Sequence, residues 1–173
     1  MRILRSWPAT VPAGRAHVVD NIERLVMDGY DYRVLGDVND DVLLLEWDIA
    51  VGLEDLERFA AAATEDPGRV LVAPYRLYSY ASGRPHLGRW AHRRYEGDPA
   101  TGHLRHVDEN DTACHLFGLG MTYLPRDITQ AFLAAWDGRV CDVSLSGWHY
   151  RNITPEVPIA WDVRPVHLHY DIP

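Results

Sequence analysis

The segment LLLEWDIA, residues 43–50, decides how this chain is read. Val42 through Leu45 are consecutive apolar residues, the pattern of a strand buried on both faces. The run then meets Glu46 and Asp48, with only Trp47 between them. Carboxylates at the end of a buried strand are costly unless a metal, an arginine or water meets them. In extended backbone, residues two apart point to the same side, so both acids can approach one ligand. In open α/β sheets ligands collect beyond the carboxyl ends of the strands, where this pair falls. A hard divalent cation, Mg2+ or Mn2+, takes oxygen donors and often uses one or two carboxylates plus substrate phosphates. The plain alternative is Glu46 turned to water and Asp48 capping the next loop.

Working outward, Ile3-Leu4 begin a short apolar segment before the Pro- and Gly-containing WPATVPAGR. Val18, Val19, Ile22, Leu25 and Val26 recur at helical spacing from Ala16, with Gly29 placed as a C-cap. Tyr32 to Leu35 is predicted as a strand ending in the acidic turn GDVNDD, and the next strand runs from Val42 to Asp48. Leu53, Leu56, Phe59, Ala60 and Ala63 make one face of a second helix, and RVLVAPYRLY is a third strand. The resulting order, β-α-β-β-α-β, is an α/β pattern. HLFGLGMTYL is a further strand and Arg126 to Trp136 a further helix. Residues 79–112 are rich in Ser, Gly, Pro, Asp and Thr and hold five arginines and four histidines. They are expected to form a mobile loop that determines acceptor choice, with Arg84 to Arg105 interleaved with Trp90 and Tyr95.

At 173 residues the chain is expected to be a single domain, 1–173, with a real core. Its formal charge of -8 argues against bulk attraction to nucleic acid or anionic membrane. The first residues lack the apolar core of a signal peptide, and no apolar run reaches membrane-spanning length. Two cysteines, Cys114 and Cys141, make no disulfide framework. The expectation is a soluble cytoplasmic protein without a membrane partner. All 17 basic residues are arginine, a bias that suggests a GC-rich bacterium or its phage (host cytoplasm, in that case). It rules out a lysine nucleophile or a P-loop lysine.

Three further sites are candidates. His167 and His169 in VHLHY share the i, i+2 geometry, and imidazole is a common Mn2+ or Zn2+ ligand; half-buried polar residues are the alternative. Asp142 in CDVSLSGWHYRN is either a helix-start acid or a general base. Gly118 and Gly120 remove side-chain bulk from a strand, so that a ligand or backbone can come close.

In this order the pieces resemble a compact GT-A-fold glycosyltransferase. TVPAGRAHVVDNIERLVMDGYDYRVLGDVNDD is similar to the opening loop, helix and strand of that class. LLLEWDIA resembles its acidic metal motif in a Glu-x-Asp form, HLFGLGMTYLPRDITQAFL its acceptor-side strand and helix, and CDVSLSGWHYRN its catalytic-acid segment. VHLHY sits where many members supply a metal-binding histidine. The resemblance implies a Rossmann-like, GT-A-type mixed sheet flanked by helices, trimmed because almost nothing separates GDVNDD from EWD. It implies a nucleotide-diphosphate sugar as donor and Mn2+ or Mg2+ held by Asp48 with His167 or His169. Thr10, Pro12, Arg15, Asp37, Asp40 and Glu46 would bind the donor, and Asp142 would act as the base of an inverting transfer. Cys141-Asp142 stands where a Glu-Asp pair is usual, and Trp47 fills the middle of the acidic motif. The acceptor stays open: modified DNA, a protein or a carbohydrate. Two other classes compete, a metal-dependent hydrolase using Asp48, His167 and His169, and a non-catalytic nucleotide- or nucleic-acid-binding module.

Overall fold

The computed structural model describes residues 1–8, 22–27, 29, 31–79, 86–98 and 100–168. Strand β1 (Arg2–Pro8) lies parallel to β2 (Glu23–Met27), with Leu4 opposite Glu23. A parallel pair needs a crossover of about a dozen residues or more, and 9–22 connect these two. The helix predicted from Ala16 to Val26 is therefore corrected over its last turn, which is strand; residues 16–21 lie outside the described ones. Along β2, Leu25 and Met27 turn inward while Arg24 and Val26 face out, and this two-residue alternation overrides the helical spacing. The predicted strand Tyr32–Leu35 is also corrected. Arg33–Asp37 form a short 3-10 helix, and Tyr32, Leu35 and Val38 are buried at three-residue intervals, the period of that helix.

Strand β3 (Val42–Leu45) is buried throughout and stops at Leu45, before a turn and the short β4 (Ile49–Ala50). Helix α1 (Leu53–Glu65) buries Leu56, Phe59 and Ala63 of the predicted face, whereas Leu53 at its start is exposed. The segment RVLVAPYRLY divides into β5 (Leu71–Val72) and β6 (Arg76–Ser79) around Pro74. Where a loop is expected over 79–112, the chain makes β7 (His86–Trp90), which pairs with β6, and the hairpin β8 (Arg93–Glu96)–β9 (His103–His106). Gly97 turns that hairpin at φ 79°. Next come β10 (Ala113–Cys114), β11 (Met121–Leu124), α2 (Arg126–Ala135), α3 (Asp142–Asn152), β12 (Val157–Pro158) and β13 (Val166–His167).

The main sheet has the order β2-β1-β3-β11-β5. β1, β2 and β3 are parallel, and β11 runs antiparallel to β3 and β5. Because side chains alternate across a strand, Val42 and Leu44 join one core with Ile128 and Phe132 of α2 and Leu145 of α3. Leu43 and Leu45 join the other core, with Leu56 and Phe59 of α1. The fold is thus mixed α/β, one five-stranded sheet between helices on both faces. Among the described residues no helix is long and apolar enough to cross a membrane.

Candidate functional site

Beyond the carboxyl end of β3 lies a cleft of about 530 Å3, lined among others by Tyr32, Glu46, Asp48, Tyr75, Asp142 and His167. The turn that carries the two acids is tied down from several sides. The Glu46 N–H donates to Gly120 O on the neighbouring segment at 2.8 Å, and the Ile49 N–H returns to Glu46 O at 3.0 Å. Arg5, only 2% exposed although it sits in the middle of β1, donates from Nη2 to Trp47 O at 2.7 Å and Ile49 O at 3.0 Å. Burial lowers the Arg5 pKa, and the negative charge of Asp48 opposes that shift. The cost of burying this cation is thus offset by the turn it holds and the acid beside it.

Glu46 and Asp48 are not on extended backbone, as the two-residue rule assumed, yet both still reach the cleft. Asp48 meets His167 because β13 pairs with β4, setting His167 opposite Ile49. The Leu168 N–H donates to Asp48 O at 2.6 Å, and His167 Nε2 lies 3.0 Å from Asp48 Oδ2. The Tyr32 hydroxyl donates to Glu46 Oε1. Burial, reinforced by the charge of Asp48, pushes the Glu46 carboxyl up to about 7, with the Tyr32 bond pulling the other way. Burial also raises the Tyr32 and Tyr75 pKa values, so both phenols stay neutral.

Tyr75 closes one wall, where Gly120 N–H donates to its hydroxyl at 3.3 Å and its ring lies 5.9 Å from that of His167. The close approach that Gly118 and Gly120 permit is to this side chain. A Cβ at Gly120 would lie 2.6 Å from the Tyr75 ring, and one at Gly118 would collide with its hydroxyl. Behind Tyr75, fully buried His92 donates from Nε2 to Ala73 O at 2.8 Å and accepts from Gly118 N–H at 3.3 Å.

Asp142 is the first residue of α3, with Cys141 as its N-cap. Cys141 N–H donates to Ser144 Oγ at 2.9 Å, and Asp142 Oδ1 accepts from Val143 N–H at 2.8 Å. The helix start is therefore served by Cys141, Ser144 and Asp142 itself, and Asp142 also lines the cleft.

Four predicted residues, Glu46, Asp48, Asp142 and His167, come together here. Asp37 and Asp40 do not line this cleft. Asp37 ends the 3-10 helix, exposed. Asp40 precedes β3 and lines a separate hollow with Asp41 and Arg126. Thr10, Pro12, Arg15 and His169 lie outside the described residues. Sequence reasoning missed Tyr32, Tyr75, Arg139 and Arg5. Only Arg5 left a signal, a charge inside an apolar strand.

Asp48 Oδ2 and His167 Nε2 are a carboxylate oxygen and an imidazole nitrogen, hydrogen-bonded to each other. Among the described residues no group of three or more His, Cys, Asp or Glu is arranged to hold a metal. A cation here would need further oxygens from a phosphate-bearing ligand.

No family model matches this chain, and no curated protein does. Among solved structures it is similar to the crystal structure of A197 from STIV, with a TM-score of 0.56 and 15% identity over 98% of this chain and 87% of that one. At that identity the likeness is one of fold.

Proposed function

We propose that the cleft binds a nucleotide-diphosphate sugar and passes the sugar to an acceptor hydroxyl, the chain being a trimmed GT-A-type glycosyltransferase. One observation carries the reading: three separate segments bring Glu46, Asp48, Asp142 and His167 to one cleft at the carboxyl ends of parallel strands. Asp48 and His167 would hold Mn2+ or Mg2+, which when bound offsets the negative charge on a departing diphosphate. Glu46, with a carboxyl titrating near 7, can accept or donate a hydrogen bond and suits a ribose hydroxyl. Arg139 brings a positive charge to the same lining, and the buried ring of Tyr75 keeps water from that wall. Asp142 takes the acceptor proton during attack on the face opposite the leaving group, which makes the transfer inverting.

The test is a panel of UDP-, GDP-, ADP- and dTDP-sugars assayed by thermal melting with and without Mn2+. A donor at a hundred times its Kd stabilises the fold by about 2.7 kcal/mol, a rise in Tm of roughly 5–10 °C for a chain of this size. The stabilisation by one nucleotide class should require Mn2+ and vanish in Asp48→Asn. No response to any donor, with Mn2+ present, would sink the proposal.

A further inference from the structure

A second hollow lies beside the cleft and shares part of its lining. Tyr75, Leu77 and Asp142 also border this smaller hollow of about 190 Å3, whose other walls include Ala91, Leu116 and Phe117. Val143 and Leu77 beside it are 73% and 37% exposed. Arg93 lines this hollow and also a groove of about 550 Å3 over the β8–β9 hairpin, together with Arg89, His103 and His106. Asp142 thus lines both the cleft and the hollow, and Arg93 both the hollow and the groove.

The arginines of this region fall into two groups. Arg105 grips Asp111 with bonds of 2.6 and 2.8 Å and Glu96 at 2.7 Å. Arg94 reaches Glu156 at 3.3 Å. These two hold the hairpins together. Among the described residues Arg89 and Arg93 make no ion pair, and both are exposed, on a chain of net charge -8. Two uncommitted guanidiniums beside two imidazoles in a concave surface focus positive potential. The planar guanidinium fork matches a phosphate oxygen pair.

We propose that the acceptor is a small molecule carrying a phosphate group. Its hydroxyl sits at Asp142, its apolar body fills the hollow, and its phosphate lies in the groove against Arg93 and Arg89. This rests on the glycosyl-transfer reading of the cleft. A small acceptor is favoured over a nucleic acid because a polymer draws its affinity from many phosphate contacts over a broad basic surface. Two arginines on an acidic protein match one phosphate.

The probe is phenyl phosphate, titrated into the full chain by calorimetry at low salt, beside phenol, beside UDP with Mn2+, and beside a short single-stranded oligonucleotide. Phenyl phosphate should bind and phenol should not. Arg93→Gln should weaken phenyl phosphate about tenfold or more, the usual worth of a charge-assisted bond to an anion. Arg58→Gln, on α1, should leave it unchanged, and UDP–Mn2+ affinity should be the same in all three proteins. Both arginines are exposed, and melting curves check that the variants fold. Phenyl phosphate binding that ignores Arg93→Gln, or responds equally to Arg58→Gln, overturns the groove. An oligonucleotide that binds more tightly than phenyl phosphate and depends on Arg93 overturns the small acceptor in favour of nucleic acid. Failure of the wild type to bind UDP–Mn2+ overturns the transfer reading instead, and is read separately from the phenyl phosphate arm.

Discussion

Acidification should loosen the wall behind Tyr75, and the size of the effect follows from His92. Its imidazole is fully buried and neutral, donating to Ala73 O and accepting from Gly118 N–H. A proton added at Nδ1 would point one donor at another. Burial pushes this histidine down to about 4 from an ordinary value of 6.5, against the pull of its bond to Ala73. The unfolded chain takes up a proton near 6.5, whereas the folded chain takes it only near 4. The stability His92 confers is therefore complete above 6.5, is lost as pH falls from 6.5 to 4, and is flat below. The whole loss is roughly 3 kcal/mol, of which about 2 kcal/mol falls between pH 7 and pH 5. Urea denaturation should show it as a midpoint about 1 M lower at pH 5 than at pH 7, since m is on the order of 2 kcal/mol/M. His149, held at about 4 by burial and then by the charge of Arg69, shifts stability in the same direction. His92→Gln separates the two, because His149 and the carboxylates remain in both proteins and cancel in the difference. The variant should be less stable at pH 7 but lose about 2 kcal/mol less on going to pH 5. Parallel pH dependence in the two proteins would refute the reasoning.

Asp142→Asn should keep UDP–Mn2+ binding while single-turnover transfer falls by roughly two to four orders of magnitude, the worth of a positioned base; full activity would falsify the base assignment. Loss of donor binding together with transfer would instead move Asp142 to the donor side. Gly120→Ala should cost about 1–3 kcal/mol by overpacking, because the new methyl meets the Tyr75 ring at 2.6 Å and Ile49 Cδ1 at 3.1 Å. Gly68→Ala, with nothing within 4 Å of its Cβ, is the neutral control, and equal melting temperatures for the two would contradict the close packing at Tyr75.

Local pattern was enough wherever one element faces one layer. The spacing of Leu56, Phe59 and Ala63 marks α1, and that of Ile128 and Phe132 marks α2, because a helix against a sheet must repeat its apolar face every three to four residues. The apolar run Val42–Leu45 marks a central strand, since only a strand covered on both faces carries consecutive apolar residues. It also places Glu46 and Asp48 at a strand end, where a site in an α/β sheet is expected. Tertiary structure alone decided the rest. Ile22, Leu25 and Val26 fit a helix until pairing with β1 makes their segment a strand, as hydrogen bonds to a neighbour outweigh a weak local preference. The hairpins within 79–112 depend on cross-strand pairs and on Arg105 meeting Asp111, neither of which shows as periodicity. The site itself is the clearest case. Asp48 and His167 stand 119 residues apart in sequence, Arg5 reaches the turn from another strand, and Tyr32 bonds Glu46 from the 3-10 helix start. A sequence records which side chains can bind a ligand, but which of them share one volume is set by strand pairing and layer packing between residues far apart in the chain.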